Sequence, residues 1–146
     1  DHDWAIVGAG VMSGDAAMRS ALEGQDWLTT VVEQSAEASS ARVTGPMIDM
    51  LPVGDAAAMI ARLADPAIRI VSLTVTEGGY FVDAAGTFDP SHPAIVADGA
   101  APDAPKTVFG LIAAGLKRRR DAGLAPFTVM SCSNLPHHRT APRTPV

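Results

Sequence analysis

Apolar residues crowd most densely at Ile68-Arg-Ile-Val-Ser-Leu-Thr-Val75, where Ile68, Ile70, Val71, Leu73 and Val75 follow one another with no turn former between them. Such a run predicts a strand buried on both faces, as in a parallel sheet. It stops at Thr76-Glu77 and the pair Gly78-Gly79. Open parallel sheets take their ligands just past the carboxyl ends of the strands, where glycine lets the backbone come close. Thr76, Glu77 and Gly78 are therefore candidate site residues rather than a bare turn.

Shorter runs with the same character predict strands at Trp4–Gly8, Trp27–Val32, Ala41–Thr44 and Phe127–Met130, with Gly45-Pro46 ending the third. A polar loop covers Glu33–Ser40. Helical spacing predicts Asp15–Leu22, with Asp15 as its cap and Gly24 as its stop. Asp55 caps a second helix through Ala64, whose apolar face is Ala56, Met59, Ile60 and Leu63; Asp65-Pro66 closes it. A short helical piece is expected near Pro93–Asp98. The strongest helix starts at Pro105, carries Val108, Leu111, Ile112, Gly115 and Leu116 on one face, and ends at Lys117-Arg-Arg-Arg120 and Gly123. Tyr80–Val82 and Gly86–Phe88 suggest a small hairpin. The alternation predicts an α/β fold: a doubly wound, mostly parallel sheet in an incomplete Rossmann-like domain over residues 1–137, then an irregular tail over 138–146. Ile68–Val75 is expected at the centre of one sheet with Trp4–Val7, Trp27–Val32 and Phe127–Met130.

Composition narrows the class. The 146 residues suit one domain, and 47% hydrophobic with 18% charged content is that of a globular chain. A net charge of -5 argues against nucleic-acid binding, which needs a positive footprint. One cysteine, Cys132, rules out an internal disulfide and a Cys-rich zinc site. No membrane span or signal peptide is visible, so a cytoplasmic location is expected. The start at Asp1 without methionine and the proline-rich end after Arg139 suggest a fragment.

Gly8-Ala-Gly10 follows a strand, yet the third glycine of a dinucleotide fingerprint would fall at Ser13, with Gly14 one place late. Two other readings of the chain stay open. Ile6–Gly10 would cradle S-adenosylmethionine in a methyltransferase-like domain if its strand were first and central; alternatively, the chain is a non-catalytic α/β binding module. Glu77 at a strand end is suited to moving a proton. Cys132 is expected as a small buried apolar group, and the helix dipole and solvation account for Lys117–Arg120. His137-His138 has no nearby carboxylate, so no metal is expected.

Thr74-Val-Thr-Glu-Gly-Gly-Tyr80, Pro105-Lys-Thr-Val-Phe-Gly110, Phe127-Thr-Val-Met-Ser-Cys132 and Asn134-Leu-Pro-His137, taken in order, resemble the amino-terminal domain of the long-chain polyol dehydrogenases of the mannitol 2-dehydrogenase type. The resemblance runs from Asp3 to about His137. It implies an NAD-dependent oxidoreductase that interconverts mannitol and fructose, with a polyol substrate and no metal. It also implies that the phosphate-binding loop lies before residue 1, and that a following helical domain carries the lysine base. Gly10 and Asp15 would then meet the adenosine ribose, and the acidic side chain would select NAD over NADP. Asn134 would donate to the substrate oxygen. Ser133 departs from the family's Asp, and Gly14 from an acidic neighbour often found there. With those parts missing, the chain alone is expected to be inactive.

Overall fold

Backbone pairing in the computed structural model, which describes residues 3–83 and 86–133, is local. Two compact units divide the chain, Asp1–Met59 and Ile60–Val146. In the first, β1 (Ile6–Gly8) runs parallel to β4 (Met47–Met50), and β2 (Thr29–Gln34) pairs antiparallel with β3 (Ser39–Thr44). In the second, β5 (Ile70–Leu73) runs parallel to β6 (Thr128–Ser131), with Leu73 opposite Ser131. The parallel α/β character is as the sequence suggests. The single sheet is not: the described strands form three two-stranded ladders. β5 departs from the expectation too. Leu73 is buried, but Ile70 is 47% exposed, because among the described residues β6 is the only strand laddered to β5.

The loop expected at 33–40 contracts to a turn. Ser35 N–H donates to the Ala38 carbonyl at 2.8 Å, and the Ser35 hydroxyl accepts from Glu37 N–H and Ala38 N–H. β4 has no strong signal in the sequence, since it is short and contains Asp49. Helix α1 (Asp15–Glu23) begins one residue earlier than a cap at Asp15 requires; Gly14 is the N-cap and Asp15 the first helical residue. The Asp15 carboxylate turns back to the Met12 N–H instead of bonding into the helix. Helix α2 (Ala56–Ala64) follows expectation, with Asp55 Oδ1 accepting from Ala58 N–H at 2.9 Å.

In the second unit, Leu73, Ile112 and Phe127 form a buried cluster with Leu63, Val71, Val108 and Leu116 packed on it. Helix α3 (Pro93–Ala100) is capped by His92 Nδ1, and helix α4 (Val108–Asp121) by Thr107, whose hydroxyl accepts from Gly110 N–H at 3.0 Å. α4 thus starts past Pro105, which is fully buried ahead of it. The reason is Asp98. Its carboxylate accepts from Lys106 N–H at 2.8 Å, Thr107 N–H at 2.9 Å and the Thr107 hydroxyl at 2.6 Å, so that stretch is bound before the helix begins. Burial pushes the Asp98 carboxyl up, but the bonds from Thr107 and Lys106 and the lysine's charge outweigh it and hold it below the ordinary range. Gly115 lets α4 press on α2: a Cβ there would lie 2.6 Å from Leu63 Cβ.

Arg119 overturns the solvated reading of its cluster. It is 3% exposed; Nε donates to the Leu63 carbonyl at 2.9 Å, Nη1 to that of Ala125 at 2.8 Å, and Nη2 to those of Asp65 and Ile68. Its guanidinium lies over the Phe127 ring at 5.1 Å. Lys117 and Arg120 are exposed and pair with Asp121, as expected for a helix end.

Arg119→Met should lower stability by roughly 2–4 kcal/mol, because four part-buried carbonyls each lose a charged donor. Arg119→Lys should recover little, since a point charge does not span a fork of acceptors. Urea unfolding midpoints measure both, and an unchanged midpoint contradicts the role. Asp98→Ala should cost about 1–3 kcal/mol near neutral pH. With its folded value depressed, Asp98 contributes stability above its unfolded value of 3.8 and loses it as pH falls through the folded value. The difference between variant and parent should therefore shrink in acid; a constant difference contradicts the ionic role.

Candidate functional site

Strand ends carry the candidate residues, and the two units hold them separately. In the first unit, β1 ends at Gly8, and the Gly8 carbonyl accepts from Leu51 N–H at 2.9 Å. The chain then turns through the buried Gly10, whose carbonyl accepts from Gly54 N–H at 3.3 Å. Asp15 packs directly on Gly10: a Cβ at residue 10 would fall 2.5 Å from Asp15 Cβ and 2.7 Å from Oδ2. Only glycine leaves room there. Asp15 Oδ2 accepts from Met12 N–H at 3.0 Å, which fixes the carboxylate over the turn and leaves an acidic edge past the end of β1.

In the second unit, Thr76 is exposed and extended at the end of the β5 segment, and the 3-10 turn Glu77–Tyr80 follows at once. The Thr76 carbonyl accepts from Gly79 N–H at 2.9 Å, closing the turn. Gly78 is exposed with open space where a side chain would point, whereas a Cβ on Gly79 would meet Val75 at 3.3 Å. The backbone at Gly78 is therefore accessible to a ligand.

Across from this turn, β6 ends at Ser131. Tyr80 joins the two: its hydroxyl lies 2.6 Å from Ser131 Oγ and donates to Ser133 Oγ at 2.8 Å. The structure thus brings Gly10 to Asp15, and the Glu77–Tyr80 turn to the end of β6. Asn134 and His137-His138 lie outside the described residues, as does the tail at 138–146. Cys132 is exposed rather than buried. It sits one residue past β6, where only its N–H is engaged in the ladder, at 2.8 Å from the Leu73 carbonyl.

Sequence reasoning missed Tyr80 as a contributor. The signal was present: an aromatic hydroxyl directly after the glycine pair, facing a strand end with serines at alternate positions 131 and 133. The residues involved are distant in sequence, so spacing alone does not reveal the contact.

Against known proteins, the sequence profile of the mannitol dehydrogenase Rossmann domain matches residues 1–146. The chain belongs to the mannitol dehydrogenase Rossmann domain family. Within it, the chain is 62% identical over 136 residues to a mannitol 2-dehydrogenase of Cereibacter sphaeroides, covering 92% of this chain and 28% of that protein. It is 45% identical over 146 residues to a polyol:NADP oxidoreductase of Gluconobacter oxydans, covering 97% of this chain and 30% of that protein. The structure resembles Pseudomonas fluorescens mannitol 2-dehydrogenase, solved as a ternary complex with NAD and D-mannitol. The TM-score is 0.85 at 50% identity, covering 92% of this chain and 28% of that one. This family member thus spans under a third of the length of the relatives it matches. No helix among its described residues is long and apolar enough to cross a membrane.

Gly10→Ala should cost about 1–3 kcal/mol, the usual penalty for forcing an atom into filled space. It should also displace Asp15. Thermal melting with the proximity of residues 10 and 15 followed by NMR checks this; a variant as stable as the parent would show that the close approach is not required.

Proposed function

We propose that this chain is part of the nucleotide-binding domain of an NAD-dependent polyol dehydrogenase, which interconverts mannitol and fructose by hydride transfer at C2. The observation that carries the proposal is the Gly10–Asp15 contact at the end of β1, in a chain whose family match spans residues 1–146. A fixed carboxylate at such a strand end suits the hydroxyls of an adenosine ribose and repels a 2′-phosphate. Gly10 keeps that approach open. Thr76, Glu77 and Gly78 are assigned to the nicotinamide end. There an exposed threonine and an unobstructed backbone offer hydrogen bonds, and Glu77 moves a proton between site and solvent.

When bound, NAD supplies the hydride acceptor. Asn134 is assigned to the substrate oxygen, where an amide donor stabilises the charge that develops as the hydride leaves. The polyol and the proton-accepting base belong to the remainder of a longer enzyme, including a carboxy-terminal helical domain, so the chain by itself is expected to be inactive. A cytoplasmic location accords with this role. The methyltransferase-like alternative finds less support: it requires a central glycine strand, and β1 ladders with β4 alone among the described residues. A non-catalytic binding module gives no reason for an acidic edge at this strand end.

The test is cofactor choice in the full-length enzyme carrying this chain. Asp15→Ala should lower the ratio of kcat/KM with NAD to that with NADP by about tenfold or more, the scale set by losing one charge-assisted hydrogen bond of roughly 1.5–3 kcal/mol. An unchanged ratio would leave Asp15 with its local bond to Met12 and no part in cofactor selection.

A further inference from the structure

Four hydrogen-bonding groups line up at the carboxyl ends of β5 and β6. Tyr80 has one hydroxyl proton and donates it to Ser133 Oγ at 2.8 Å, so in the 2.6 Å contact with Ser131 the serine is the donor. Ser133 Oγ in turn donates to the Leu73 carbonyl at 3.5 Å. The direction is uniform, from Ser131 through Tyr80 and Ser133 to the last residue of β5. Chains of this kind polarise one another and fix their members more firmly than isolated bonds do.

The ring that carries the central hydroxyl is itself held. Tyr80 meets Phe109 of α4 edge-on at 5.8 Å, and Phe81 meets the same ring at 6.3 Å and His92 at 4.7 Å. Phe81 adopts a left-handed conformation, φ 52 and ψ 44, which is unfavourable for a bulky residue and persists where the surroundings over-determine it. Its carbonyl accepts from Asp89 N–H at 2.8 Å. The strained turn therefore aims Tyr80 at β6 from a braced base. Ser133 immediately precedes Asn134 in the chain.

We propose that Tyr80 is a positioning residue for hydride transfer: its hydroxyl, bonded to Ser131 and Ser133, ties the end of β6 to the turn that bears Thr76, Glu77 and Gly78. This rests on the polyol dehydrogenase reading above. Tyr80 acts through the end of β6 and the turn it joins, as a positioning group. Ser133 is the acceptor of the tie, so the Tyr80 hydroxyl has a neutral partner.

The experiment uses the full-length enzyme, with this chain in place of the matching segment of the Cereibacter sphaeroides relative. Tyr80→Phe removes the hydroxyl and keeps the ring on Phe109. Turnover should fall by about 10- to 100-fold, the scale of a small misplacement of a reacting group, while KM for NAD and mannitol stays near the parent values. The isotope effect on kcat with C2-deuterated mannitol should grow as hydride transfer becomes more limiting. Ser133→Ala should reproduce both changes, and the double variant should be no slower than the slower single one. Unchanged kcat and isotope effect in either variant overturn the proposal, and so do losses that multiply in the double variant. If Tyr80→Phe does not fold, Ser133→Ala decides alone by the same readings. Failure of the unsubstituted enzyme to reduce NAD with any polyol would instead overturn the underlying dehydrogenase reading.

Discussion

One guanidinium sets the frame of the second unit. Arg119 reaches from the last turn of α4 to the carbonyls of Leu63, Asp65, Ile68 and Ala125, so it binds the end of α2 and the approaches to both β5 and β6. Leu63 lies in the last turn of α2 and the other three lie outside helices and strands, and a part-buried carbonyl left without a donor is costly. The two parallel strands consequently begin from a fixed edge. They run in register from Ile70 opposite Thr128 to Leu73 opposite Ser131. At the far edge, Tyr80 joins the chain beyond β5 to Ser131 and Ser133. A charged clamp holds the entry, and a neutral hydroxyl chain holds the exit where chemistry is proposed.

The first unit solves a different problem by omission. Gly10 contributes no side chain, and the space is taken by Asp15, whose carboxylate is then steadied by the Met12 N–H. The second carboxylate oxygen has no bond among the described residues, which suits an acceptor for ribose hydroxyls. Asp98 shows the contrasting use of a carboxylate. It is buried, takes both Thr107 donors and the Lys106 N–H, and is consumed by the start of α4. Exposure and unfilled bonding capacity, rather than charge, distinguish the candidate ligand from the structural acid.

Helices were legible from sequence because their signals are local: Asp55 caps α2, and the α4 face of Leu111, Ile112 and Gly115 is buried as its spacing requires. Where sequence reading failed, a distant partner decided. Arg119 looks like its neighbours Arg118 and Arg120 until Leu63 and Ile68 are brought beside it. β4 is only four residues long, with Asp49 interrupting its apolar side chains, so it does not stand out, and its parallel partner β1 lies some forty residues away in sequence. The apolar run at β5 predicts burial on both faces, yet its burial depends on what ladders and layers cover it, and Ile70 is left open here. The candidate site was legible in its strand-end glycines and acids. Tyr80 was not, because its partners lie some fifty residues away, the Ser131 contact spanning 51 positions.

The central claim is that these strand ends serve hydride transfer from a polyol to NAD. It is tested most directly by incubating the full-length enzyme carrying this chain with NAD and mannitol deuterated at C2, then locating the deuterium. The account predicts fructose and reduced nicotinamide in equal amounts, with the label on the nicotinamide ring. Label appearing in water, or no reduction of NAD with any polyol, would contradict it.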